Sequence, residues 1–86
     1  MANLYLLTQN SNVNYDTYTS AVVCARTEAD ARLIHPSGEM MESDEWDWIH
    51  TRNWANHVDD VMVKLIGKAV SGTELNSVII ASYNAG

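Results

Sequence analysis

The chain has 86 residues, 47% of them hydrophobic, and sets 5 Lys and Arg against 11 Asp and Glu for a formal net charge of −6. That length suits one domain, residues 1–86, with a thin core, because a chain this short buries only about 60% of its surface on folding. The apolar content excludes a disordered chain, and five basic residues cannot make a stripe that tracks a nucleic-acid polymer, although a few arginines suffice for one small phosphorylated ligand.

The first strand is predicted over residues 3–9, NLYLLTQ, with Leu4 and Leu6 on one side and Tyr5 and Leu7 on the other. Both sides are apolar, so the strand belongs in the middle of a sheet. The same apolar run is too short for a signal peptide or a membrane span and has no basic region before it, which points to the cytoplasm. Asn10 to Thr17 is a polar connection, too long for a tight hairpin. Tyr15 and Tyr18 frame the entry to the second strand, either as cover for a sheet edge or as rings that stack on a base.

Ala21-Val22-Val23-Cys24-Ala25 reads as a buried strand. Cys24 is the sole cysteine, so no intrachain disulfide forms and a reducing compartment is expected. Lying mid-strand, Cys24 is a small hydrophobe rather than a nucleophile. Thr27 and Asp30 have capping-box spacing, and Pro36 is expected to stop the helix at about His35. His35 is a structural residue on this reading, at a helix end where the dipole favours a cation. Arg26 and Arg32 flank the helix and are either solvated, paired with acids, or held for a ligand.

Residues 36–58 form a long loop with Trp46, Trp48 and Trp54 interleaved with acids, and Ser43 to His50 could open a second short helix. Its tryptophans either plug the core or line a ligand pocket or subunit contact, and Arg52 between them serves either purpose. His35, His50, His57 and Cys24 match no zinc spacing, and the acids match no EF-hand loop, so no metal is expected. The third strand is predicted over 60–70, with a bulge at Gly67 and an exposed edge marked by Lys64 and Lys68. Residues 71–76 read as a hairpin turn into a last strand at 78–83, which, apolar on both sides, should also be central. Tyr83 and Asn84 close that strand.

The sum is an α+β fold: a four-stranded, mainly antiparallel sheet with one short helix packed on it and a long Trp-containing loop. One short helix covers one side only. Leu4, Leu6, Val22, Val78 and Ile80 face away from Tyr5, Leu7, Ala21, Val23, Ile79 and Ala81 in the pleat. Leaving that second side wet forfeits several kcal/mol at about 25 cal/mol per Å2, so a homo-oligomer, at least a dimer, is expected.

The segments YDTYTSAVV at 15–23, ARLIHP at 31–36, VKLIGKA at 63–69 and ASYNAG at 81–86, with the scattered tryptophans, resemble a family of small bacteriophage proteins. Within it the chain is most similar to the anti-Thoeris and anti-CBASS nucleotide sponges. That resemblance implies a phage protein that sequesters a cyclic nucleotide immune signal in the host cytoplasm without cleaving it: not an enzyme, and without cofactor or metal. Such a protein needs aromatic planes for a base, arginines for phosphate and amides for ribose or base edges. Tyr15, Tyr18, Trp54 and Tyr83 are the stacking candidates, Arg26, Arg32 and Arg52 the phosphate candidates, and Asn84 the amide candidate. The competing expectation is an acidic interaction protein that inhibits a host protein through the tryptophan loop. A degrading enzyme would need clustered ligands or a histidine pair.

Overall fold

The computed structural model describes residues 2–13, 16–41 and 52–84. These form β1 (Asn3–Thr8), β2 (Thr17–Ala25), α1 (Glu28–Arg32), a 3-10 turn at Val58–Asp60, β3 (Met62–Lys68) and β4 (Ser77–Asn84). Every strand pair is antiparallel, in the order β3-β1-β2-β4. This is the predicted α+β architecture. Trp46, Trp48 and the suggested helix at 43–50 lie outside the described residues, as does Tyr15.

β1 sits between β3 and β2, which accounts for its two apolar sides. Tyr5 and Leu7 face the core together with Val23 and Ala21, their direct partners on β2. The helix layer adds Ala31 and Ile34, and the returning chain adds Trp54, Ala55 and Val61. β3 is an edge, as its lysines predict, and both Lys64 and Lys68 are exposed. Leu4 pairs with Gly67 while Tyr5 pairs with Leu65, so Ile66 is the extra residue of a bulge next to Gly67.

Four expectations are corrected. β4 is an edge strand rather than a central one, paired with β2 alone. Residues 71–76 therefore do not close a hairpin: they carry the chain from one edge of the sheet to the other. A polar turn signal marks a change of direction, but it does not say which strand the chain joins afterwards. A bulge at Ile79, between the Val22–Ile80 and Val23–Val78 pairs, also reverses the side of Val78, which packs on the core instead of with Ile80. Finally, α1 ends at Arg32 with Leu33 as its C-cap, three residues before His35. Ile34 forms a bridge with Met40, and the tight loop between them closes through Gly38 at φ +109°. Pro36 pushes its predecessor towards extended backbone, so the break comes before His35 rather than after it.

Half of the predicted capping box is present: Thr27 Oγ1 accepts from the Asp30 amide at 3.1 Å. Thr27→Ala should cost about 1 kcal/mol. In urea this appears as a lower midpoint with unchanged slope, and an unmoved midpoint means the cap contributes nothing.

The outer face of the sheet presents Leu4, Leu6, Val22, Met62 and Ile80. Ile80 is 66% exposed and Met62 52%. Ser20, Val22, Ile80 and Ser82 border a shallow depression of about 340 Å3 there.

Candidate functional site

The chemistry-bearing side chains gather at one corner of the sheet, where β2 begins and β4 ends. Tyr18 and Tyr83 are direct partners across these strands. Their rings meet edge to face, with centroids 4.8 Å apart and planes at 67°, an arrangement that π quadrupoles favour. Tyr18 packs on the core, whereas Tyr83 remains 47% exposed. The other edge of Tyr18 meets the buried His35 ring at 6.1 Å and 86°.

Polar bonds hold this corner. His35 Nδ1 accepts from the Ser37 amide at 3.0 Å, with Ser37 Oγ at 2.7 Å. An Nδ1 that accepts leaves the ring proton on Nε2, which donates to Asn53 Oδ1 at 3.1 Å. The Tyr18 amide donates to the Asn53 carbonyl at 2.8 Å. Gln9 Nε2 donates to the Tyr18 carbonyl at 2.9 Å and to the Asn12 carbonyl at 2.7 Å, while Gln9 Oε1 accepts from the Asn12 amide at 2.9 Å. Asn12 Nδ2 donates to the Trp54 carbonyl at 2.9 Å. Asn53 and Trp54 are thus pinned between the connection after β1 and the start of β2. The Asp16 amide donates to the Asn84 carbonyl at 2.6 Å, and Asp16 takes up a left-handed φ of 63° that aspartate tolerates.

Of the candidates read from the sequence, Tyr18 and Tyr83 come together here; Asn84 follows Tyr83 on β4, where successive side chains point to opposite faces, and Arg52 precedes Asn53 in the chain. Trp54 does not present a ring to solvent: it is fully buried, the largest side chain in the core. Arg32 lies on α1, 4.0 Å from Glu28 one turn earlier. Arg26 follows the far end of β2, eight residues and about 26 Å from Tyr18, too far for one small ligand within a single chain to touch both. There it lines a recess of about 370 Å3 with Ala2, Ser71, Gly72, Thr73 and Leu75. Gln9, Asn12 and Asn53 are the residues that sequence reading missed. An amide side chain carries no periodic or motif signal, and only the fold shows which carbonyls it reaches.

Cys24 is buried and free. Among the described residues no group of three His, Cys, Asp or Glu is placed to hold a metal ion, and no helix is long and apolar enough to cross a membrane. No protein-family model, curated protein or solved structure matches the chain.

Proposed function

We propose that this chain is a phage anti-defence protein that binds a small nucleotide-derived signal, a cyclic ADP-ribose isomer or a cyclic oligonucleotide, and holds it uncleaved in the bacterial cytoplasm as a homo-oligomer. The observation that carries this reading is the Tyr18–Tyr83 pair. One ring is anchored on the core and braces the other, which stays 47% exposed. A braced, exposed ring loses little freedom when a base stacks on it, and such stacking contributes about 1–3 kcal/mol per base. Sequestration asks for no nucleophile, general base or metal. It asks for a plane, a few donors and a cation for phosphate, and a net charge of −6 is compatible with one or two arginines doing the latter locally.

A thermal-shift series with cyclic ADP-ribose isomers and cyclic di- and trinucleotides tests this reading. A ligand at a hundredfold excess over its Kd adds about 2.7 kcal/mol, which raises the midpoint of a domain this size by on the order of 10 °C. Tyr83→Ala should remove most of the rise. Heating the complex should release the nucleotide intact, whereas recovery of a hydrolysed product would assign an enzyme instead. A flat response to the whole series overturns the proposal.

A further inference from the structure

The two edges of the sheet are built differently. β3 carries exposed Lys64 and Lys68 and a bulge at Ile66, devices that keep an edge from pairing with another chain. β4, Ser77-Val78-Ile79-Ile80-Ala81-Ser82-Tyr83-Asn84, holds no charged residue, in a chain with 16 charged side chains counted as 5 basic plus 11 acidic. Ile79 and Ile80 on it are 50% and 66% exposed. Its composition suits the interior of a sheet, and its position in the protomer is the rim.

We propose that a second copy of this chain pairs antiparallel along β4 across a two-fold axis, and that the join brings Arg26 of one copy beside Tyr83 of the partner subunit in a shared recess for a ligand with a phosphate and an aromatic base. A second copy fits this rim for three reasons. The rim is uncharged, so two molecules of net charge −6 meet where neither presents a charge, while a charged partner would find nothing to pair with. An isologous two-fold contact lets each β4 supply the N–H and C=O groups that the other lacks. The rim also comes near the size required: a strand of eight residues is about 26 Å long, and the molecule measures 18 Å across its shortest dimension. That gives on the order of 470 Å2 per copy, about 940 Å2 for the pair, close to the floor of about 1,000 Å2 for a specific interface.

The shared recess follows from the strand direction. Arg26 lies just beyond the Cys24–Ser77 pair, at the start of β4, and Tyr83 lies at its end. A two-fold axis through the middle of β4 exchanges those ends. Arg26 makes no ion pair among the described residues. Among the described residues the recess it lines holds no acid and offers the Ser71 hydroxyl, while Thr73 Oγ1 already donates to the Val70 carbonyl at 2.7 Å; a guanidinium beside one hydroxyl, with no acid to compete, suits an anion. A phosphate on Arg26 and a base on the partner's Tyr83 could then belong to one ligand. The recess rests on the nucleotide reading; the pairing does not.

Light scattering on the purified chain, without nucleotide, should give twice 9.6 kDa. Ile80→Lys, at an exposed position, should return the monomer mass with an unchanged circular dichroism spectrum, while Met62→Lys, on the outer face at the opposite edge, should leave the dimer intact. Ser77→Cys protein mixed with Asn84→Cys protein should be joined by a short bis-maleimide several-fold more than either alone. A monomeric wild type, dissociation by Met62→Lys but not by Ile80→Lys, or equal cross-linking in the unmixed samples overturns the pairing. A correctly cross-linked dimer with no thermal shift sinks the nucleotide reading alone, and a monomer that binds nucleotide sinks the pairing alone. Where a shift is found, mixing Arg26→Ala with Tyr83→Ala protein restores one intact recess per mixed dimer if the recess is shared; if mixing restores nothing, the shared recess is wrong.

Discussion

Trp54→Ala is expected to lower the unfolding free energy by about 3–5 kcal/mol, the range for truncating a large buried aromatic. The side chain is fully buried and closes the core between the sheet and the returning chain, against Leu7, Val23 and Ile34 in the same cluster. A domain of this length holds in total on the order of 4–13 kcal/mol, so the substitution removes between about a quarter and all of the stability. Guanidinium unfolding followed by far-ultraviolet circular dichroism measures it. The indole Nε1 has no hydrogen-bond partner among the described residues, so Trp54→Phe loses volume but no such bond and should cost less than half as much. A Trp54→Ala midpoint within error of wild type would show that the indole is not the keystone of this core.

The second large effect is expected at Gln9. Its side chain is buried and makes three hydrogen bonds to backbone, two as donor to the Asn12 and Tyr18 carbonyls and one as acceptor from the Asn12 amide. Gln9→Ala strips partners from groups that the fold keeps from water. At about 1–3 kcal/mol for each buried polar group left unsatisfied, and with some re-entry of water, the loss is about 2–4 kcal/mol. Gln9→Glu is the sharper variant. A carboxylate accepts but does not donate, so it keeps one of the three bonds and turns the other two into oxygen facing oxygen. It should destabilise at least as much as alanine, although it nearly preserves volume. Because Tyr18 hangs on this network, both variants should also weaken the near-ultraviolet signal of the Tyr18–Tyr83 pair. A Gln9→Glu protein as stable as wild type would mean that the glutamine only fills space.

How much of this was legible beforehand varies with the kind of residue. The apolar doubling of β1 marked a central strand, and Lys64 and Lys68 marked β3 as an edge, because burial and solvation act on each residue where it stands. Thr27 marked the helix start for the same local reason. Gly67 marked the bulge beside it. The apolar doubling of β4, by the same rule, points to the wrong place within the sheet. A strand reads as interior whenever something covers it, and the composition does not say whether the cover comes from its own chain. The Ile79 bulge was invisible too: adding one residue to a run of Val and Ile leaves the alternation unchanged to the eye, yet it turns Val78 to the other side.

The candidate site divides in the same way. Tyr18, Tyr83 and Asn84 are residue types able to recognise a nucleotide, and the fold sets the two tyrosines side by side because antiparallel pairing joins the start of β2 to the end of β4, while the pleat turns Asn84 to the other face. Trp54 is suited by type as well, and the fold seals it in the core. No local property separates the two outcomes, since an indole and a phenol are each good at both.

What the chain's own chemistry determined, then, is an antiparallel sheet with one capped helix, one guarded edge and more apolar strand surface than one short helix covers. These depend on neighbours along the chain and on the balance of oily and charged groups. What only the tertiary structure decided is that β4 stands at the rim, that 71–76 crosses between edges, that Trp54 is sealed, and that Arg26 and Tyr83 lie at opposite ends of the sheet. Those outcomes depend on which strands meet across long stretches of chain, and hydrogen bonds between backbones are nearly blind to the side chains that sequence reading weighs.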